Sequence, residues 1–64
     1  MTTRSERLLA VLQILRRHRH PVAAQRIADE TGTSLRTVYR DIDALRAQGA
    51  AIEGEAQLTL NNEP

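Results

Sequence analysis

The chain has 64 residues and a net charge of +1, and its nine basic residues are all arginine, with no lysine and no cysteine. A chain this short buries only about 60% of the surface that its unfolded form exposes, which leaves little interior for the pocket of hundreds of cubic ångströms that most enzymes need. We therefore expect no catalytic activity, no cofactor and no thiolate metal site, and the lack of disulfides indicates a cytoplasmic protein.

The charge is divided unevenly along the chain. Residues 1–50 contain all nine arginines and five acids, a net of +4, whereas residues 51–64 contain three acids and no base. Arginine presents a planar fork of donors that suits phosphate and guanine. The division therefore indicates a polyanionic partner for the first fifty residues, although an arginine-rich coding genome would give a similar composition.

A first helix is predicted over residues 4–18. The pair Thr3 and Glu6 has the spacing of a capping box, and Pro21 ends the helix because the residue before a proline disfavours the α conformation. Four apolar residues recur at helical spacing on one face: Leu8, Val11, Leu12 and Leu15. Leu9 and Ile14 widen this apolar face on either side. The run is too short to span a bilayer, so we expect no membrane segment.

A basic cluster follows at residues 16–20. Its side chains either interact favourably with the negative end of the first helix or contact a phosphate backbone. Within the cluster, Arg17 is the expected phosphate contact. His18 and His20 have no nearby cysteine and no clear carboxylate partner, which argues against a closed metal site.

Two further helices are predicted over residues 23–31 and 35–48. Gly32 ends the earlier helix, Ser34 is a favourable N-cap for the later one, and Gly49 ends it. The expected inner face of the last helix consists of Leu35, Val38, Ile42 and Leu45. A three-residue turn containing glycine between two short amphipathic helices is the sequence form of a helix-turn-helix.

The pattern changes after the third helix. Alternating apolar residues around Gly54 predict a short β-hairpin over residues 51–60, and residues 61–64 are expected to form a frayed tail. The predicted fold is therefore mainly α with a small β-hairpin, a winged helix-turn-helix. We expect one domain over residues 1–60.

The residues also show a family resemblance. The run from Ile27 to Gly49 resembles the winged helix-turn-helix of DeoR-like repressors. Together with Arg7-Leu8-Leu9, the segment Arg36-Thr37-Val38-Tyr39-Arg40-Asp41 is most similar to the N-terminal domain of WYL-domain transcription regulators. The resemblance covers about residues 4–53 and implies a bacterial, DNA-binding regulator whose C-terminal region, missing here, binds the effector and provides dimerisation.

The third helix is the expected recognition helix. Placing its apolar residues inward turns Arg36 and Arg40 outward, where each could bind guanine in the major groove. The expected phosphate contacts are hydroxyl groups near its start and one arginine of the first helix: Thr33, Ser34, Thr37, Tyr39 and Arg17. For Tyr39, a packed ring with its hydroxyl at the surface fits the pattern equally well.

The sequence therefore predicts a transcription regulator that binds double-stranded DNA sequence-specifically, and useful affinity would need a homodimer because one module covers one half-site. The alternative is a winged-helix protein interaction module that does not bind DNA. Asp41 faces away from the expected DNA surface, and we expect it to pair with an arginine of the first helix, Arg7.

Overall fold

The computed structural model describes residues 3–61, which form three helices and three short strands. In chain order these are α1 (Arg4–Arg17), β1 (Val22–Ala23), α2 (Ala24–Thr31), α3 (Leu35–Ala47), β2 (Ile52–Gly54) and β3 (Gln57–Leu60). The mainly helical architecture with a small antiparallel sheet confirms the predicted winged helix-turn-helix.

Local signals place the helix ends within one residue of the predicted bounds. The Thr3 hydroxyl accepts a hydrogen bond from the Glu6 amide at 3.1 Å, and the Ser34 hydroxyl accepts one from the Thr37 amide at 3.2 Å. Gly32 follows α2 in the left-handed conformation, with φ of 69°, which glycine adopts without steric cost. The starts of α1 and α3 and the end of α2 are thus set by the residues that the pattern indicated, whereas α1 ends at Arg17, before Pro21.

The core is a single aliphatic cluster drawn from all three helices and all three strands. Its buried members are Val11, Ile14, Leu15, Val22, Ala24, Ile27, Ala28, Val38, Ile42, Leu45, Ile52 and Leu58. Two predicted core residues are wrong, since Leu9 is 52% exposed and Leu35 is 38% exposed. Leu9 lies about 160° around α1 from Val11, and Leu35 opens α3, where its helical face is only partly covered.

The sheet has the order β1-β3-β2, with β3 in the centre and antiparallel pairing on both sides. The predicted hairpin is confirmed, with Gly54 opposite Leu58. Strand β1 was not predicted, because two residues are too few to show the alternation that marks a strand. Val22 of this strand pairs with Leu58 of β3, so the strand forms only through a tertiary contact.

The hairpin of β2 and β3, hereafter the wing, is tied to the helices on two sides. The carbonyl of Ala56, in its loop, accepts a hydrogen bond of 2.9 Å from the amide of Ala24 at the start of α2. Arg46 of α3 donates through Nε to the Ile52 carbonyl and through Nη2 to the Gly54 carbonyl, both at 2.9 Å. The wing is therefore held against α2 and α3 and does not extend as a free arm.

The end of the chain is described only in part. The Asn61 amide donates to the Ala51 carbonyl at 2.8 Å, one residue beyond β3. The rest of the predicted frayed tail, residues 62–64, lies outside the described residues. Between residues 3 and 61, no helix is long and apolar enough to cross a membrane.

Gly54 is expected to be indispensable for the wing. Its φ is +100°, and a Cβ at this position would overlap the carbonyl oxygen of Gln57. Gly32→Ala is the matched control, because Gly32 also has positive φ but no atom within 4 Å of its Cβ position. We expect Gly32→Ala to cost roughly 1–2 kcal/mol of unfolding free energy from backbone strain alone, and Gly54→Ala to cost about 3 kcal/mol or more.

Urea unfolding followed by circular dichroism measures both values. Equal losses in the two variants would show that the close approach at Gly54 does not determine the hairpin.

Candidate nucleic-acid interface

Helix α3 presents two opposite surfaces. Its buried side consists of Val38, Asp41, Ile42 and Leu45. The outward side follows the spacing i, i+4, i+7 and i+11, with Arg36, Arg40, Asp43 and Ala47, all exposed. Among residues 3–61, neither Arg36 nor Arg40 has a hydrogen-bond or ion-pair partner. The structure therefore brings the two predicted base-reading residues together on one solvent-facing stripe.

The predicted hydroxyl contacts lie around the turn that precedes α3. The Thr33 hydroxyl is 2.9 Å from that of Thr31, and the Ser34 hydroxyl donates to the Thr37 hydroxyl at 3.2 Å. The Ser34 hydroxyl therefore donates its proton within the protein and has none left for a ligand. Thr37 accepts that bond, and its own hydroxyl proton remains available for an acceptor outside the described residues.

Tyr39 lies on the side of α3 that faces the wing. Its side chain is 39% exposed, and it lines a cleft of about 370 Å³ together with Arg46 and Glu55. A ring partly covered in this way, with an accessible edge, is compatible with both interpretations of the sequence, a packed ring and a phosphate contact.

Arg17 stands apart from the outward stripe of α3. It lies in the last turn of α1 and donates to Glu30 of α2 at 3.0 Å, where Arg26 binds the other carboxylate oxygen at 3.2 Å. The hydrogen bond from Arg26, reinforced by the one from Arg17, lowers the pKa of Glu30 because both favour the ionised carboxylate. The Arg17 charge is thus partly balanced within the domain.

A partly buried ion pair joins α1 to α3. Arg7 donates through Nε to one carboxylate oxygen of Asp41 at 2.6 Å and through Nη2 to the other at 2.9 Å. Asp41 is only 2% exposed, and its hydrogen bonds raise the pKa of Arg7. The predicted pairing of Asp41 with Arg7 is confirmed, and its two-pronged geometry is the one that arginine and carboxylate favour.

This ion pair forms the floor of a second cleft, which the sequence did not reveal. The cleft has a volume of about 210 Å³ and is lined by Arg4, Arg7, Thr37, Arg40 and Asp41. The sequence did not indicate that Arg4 lies close to α3. Its spacing of three from Arg7 places both on one face of α1, but its proximity to α3 depends on the tertiary pairing of Arg7 with Asp41.

The other end of the α3 surface is acidic. Asp43 points outward with a side chain that is 80% exposed, and Glu53 and Glu55 are exposed on the wing. Asp43 lies 3.8 Å from Arg46 of the same helix, whereas no arginine of the wing balances Glu53 and Glu55, because residues 51–64 contain none. The arginines near the start of α3 and the acids near the wing therefore give this surface a positive and a negative end.

The remaining candidate sites are weaker. The ring of His18 bonds the Ile14 carbonyl at 2.7 Å through Nδ1, and no group of three or more potential metal ligands occurs between residues 3 and 61. An open groove of about 630 Å³ runs between α1 and α2, and its lining includes the Arg17–Glu30 pair. This groove brings no set of residues together for catalysis.

Comparison with known proteins agrees with this geometry. A family model described as an HTH domain matches residues 7–58. The matched range includes α2, α3, most of α1 and much of the wing. No curated protein matches the chain. The match supports binding of double-stranded DNA.

Loss of the Asp41 charge is expected to destabilise the domain. Asp41→Asn keeps the shape but removes the charge that receives two hydrogen bonds from Arg7, at a cost of about 1.5–3 kcal/mol. For a domain of this size the thermal midpoint should fall by roughly 6–24 °C.

Asp43→Asn is the matched control, since it makes the same change two residues later on the exposed side of α3. Its effect should stay within about 0.5 kcal/mol. Thermal unfolding by circular dichroism compares the two, and an unchanged midpoint for Asp41→Asn would mean that the ion pair does not stabilise the fold.

Proposed function

The chain belongs to the helix-turn-helix domain family, and on that premise we propose that it is a transcription regulator that binds double-stranded DNA sequence-specifically. The observation that supports this proposal most strongly is the pair of unpartnered arginines, Arg36 and Arg40, on the outward stripe of α3. A helix fits the major groove, where arginine binds the O6 and N7 atoms of guanine.

The position of these arginines is unfavourable for the free protein. Like charges at i and i+4 on a helix cost about 0.2–0.5 kcal/mol, and Arg36 lies in the first turn, where the helix dipole disfavours a cation. No acidic residue among the described residues pairs with either side chain. A surface selected for stability alone would favour the opposite charge, so the pair is better explained by an anionic ligand.

We assign the roles along the helix from its start. Arg36, in the first turn of α3, is proposed to read base edges, because the N-terminal part of a recognition helix reaches furthest into the groove. Arg40, one turn later on the same stripe, is the second candidate for base contact. The residues proposed to bind phosphates or to support that contact are Thr33, Ser34, Thr37, Tyr39 and Arg17. The pairing of Arg17 with Glu30 gives it the smallest expected contribution of these.

The proposed unit is residues 1–60, acting in the bacterial cytoplasm. Its resemblance to DeoR-like repressors, and to the N-terminal domain of WYL-domain regulators, supports repression as the activity. One module covers one half-site, so we propose that a homodimer binds the operator. Dimerisation and effector binding are assigned to a C-terminal domain outside this chain.

The acidic wing favours a second candidate function. Glu53 and Glu55 are exposed on a wing without basic residues, and such a surface repels phosphate but suits a basic protein. The alternative function is therefore a winged-helix interaction module that does not bind DNA. The two candidates differ in their response to duplex DNA at low salt.

We expect the protein to bind random-sequence duplex DNA with a log–log salt slope of roughly −0.9 per phosphate neutralised. Fluorescence anisotropy at several salt concentrations measures the slope. A folded protein without detectable binding at low salt would favour the interaction module instead.

Selection from a randomised duplex library should in addition enrich a defined motif. Arg36→Ala should lose discrimination at one base pair, worth about 1–3 kcal/mol. Arg16→Ala, which removes another exposed arginine near the C-terminal end of α1, should retain the motif. Equal motifs for wild type and Arg36→Ala would rule out base reading by this residue.

A further inference from the structure

We propose that the cleft between α1 and α3 binds one phosphate of the DNA backbone, with Arg4 and Arg40 as its cationic ligands. The inference rests on the proposed function, because a duplex bound to α3 is what brings a phosphodiester to this cleft. It adds Arg4 to the interface and assigns Arg40 to the backbone and not to the bases.

The cleft is large enough to admit a phosphodiester group. Its volume is about 210 Å³, several times the share of about 30 Å³ that one water molecule takes in the liquid. Arg40 lines the cleft and also belongs to the outward stripe of α3, so the cleft adjoins the surface proposed to enter the groove. A phosphate placed here would therefore belong to the strand that borders the groove occupied by α3.

The charges that line the cleft leave a positive excess. Three of the five lining residues are arginines and one is an aspartate. The Asp41 carboxylate would repel an anion, but both of its oxygens already accept hydrogen bonds from Arg7. The Arg7–Asp41 pair therefore contributes a nearly neutral floor, and the positive charge available to a ligand comes from Arg4 and Arg40.

Arg4 is placed where a cation does not stabilise the free protein. It is the first residue of α1, where the helix dipole disfavours positive charge, and it makes no hydrogen bond or ion pair with residues 3–61. Arg40 is likewise exposed and unpartnered. Two unpaired cations on different helices, lining one cleft, are stabilised when a phosphate binds between them.

A neutral donor completes the proposed site. The Thr37 hydroxyl accepts a hydrogen bond from Ser34, so its own proton points to an acceptor elsewhere, and Thr37 lines the cleft. The site then offers two charged donors and one hydroxyl donor from two helices. Binding a phosphate at this position would fix the angle at which α3 enters the groove, which leaves base reading to Arg36.

The test is an anisotropy titration of Arg4→Ala against wild type, with both the selected motif and random duplex DNA. A phosphate contact predicts that the salt slope becomes shallower by about 0.9 and that affinity falls by a similar factor on both DNAs, so that sequence discrimination is unchanged. Arg4→Lys should restore most of the slope, because lysine binds phosphate as a point charge. Arg16→Ala, on the same helix, should change the slope by much less.

Each other outcome has a defined meaning. If wild type binds DNA but Arg4→Ala keeps the wild-type salt slope and affinity, the phosphate site is wrong and the proposed function stands. If Arg4→Ala changes the selected motif, Arg4 reads bases, which also overturns the proposal. If wild type does not bind DNA at low salt, the proposed function itself fails.

Circular dichroism and the thermal midpoint exclude misfolding of the variants. The midpoint of wild type is also compared in inorganic phosphate and in chloride at equal ionic strength. We expect no difference. A stabilisation by free phosphate that Arg4→Ala abolishes would reassign the cleft to a free anion and overturn the assignment to DNA.

Discussion

A carboxylate with almost no access to solvent must be paired, and this requirement constrains how α1 and α3 pack. Asp41 is almost inaccessible to solvent, and Arg7 binds both of its oxygens. Because a buried charge without a partner is strongly unfavourable, the rotation of α3 about its own axis is restricted. The same restriction turns Arg36 and Arg40 to solvent, so an interaction in the interior defines the exposed surface.

The wing is joined to α2 and α3 by hydrogen bonds from both helices. Arg46 binds two carbonyls of β2, and the Ala56 carbonyl binds the start of α2. The acidic side chains of the wing are therefore held at a fixed distance from the arginines at the other end of α3. Their repulsion from phosphates would favour DNA approaching from the side of α1, where Arg4 lies.

Features determined by neighbouring residues were predictable from the sequence, whereas features determined by packing were not. Gly32 and Ser34 act on residues that are close to them in the sequence, and the ends of α2 and α3 next to them agree with the prediction. The two-residue strand at Val22 exists only because β3 pairs with it, and Leu35 is exposed because its face is left partly uncovered at a helix end. Arg4 belongs to the same class, since only tertiary packing brings it near α3.

The contacts of Arg46 also bear on how the domain behaves among many copies of itself. In an antiparallel strand the carbonyl groups of successive residues point to opposite sides. The carbonyls of Ile52 and Gly54 point away from β3. β2 is an edge of the sheet, and an unoccupied edge can template pairing with another chain. The Arg46 guanidinium already occupies the carbonyls that a foreign strand would need at this edge, so β2 is protected against pairing with another chain.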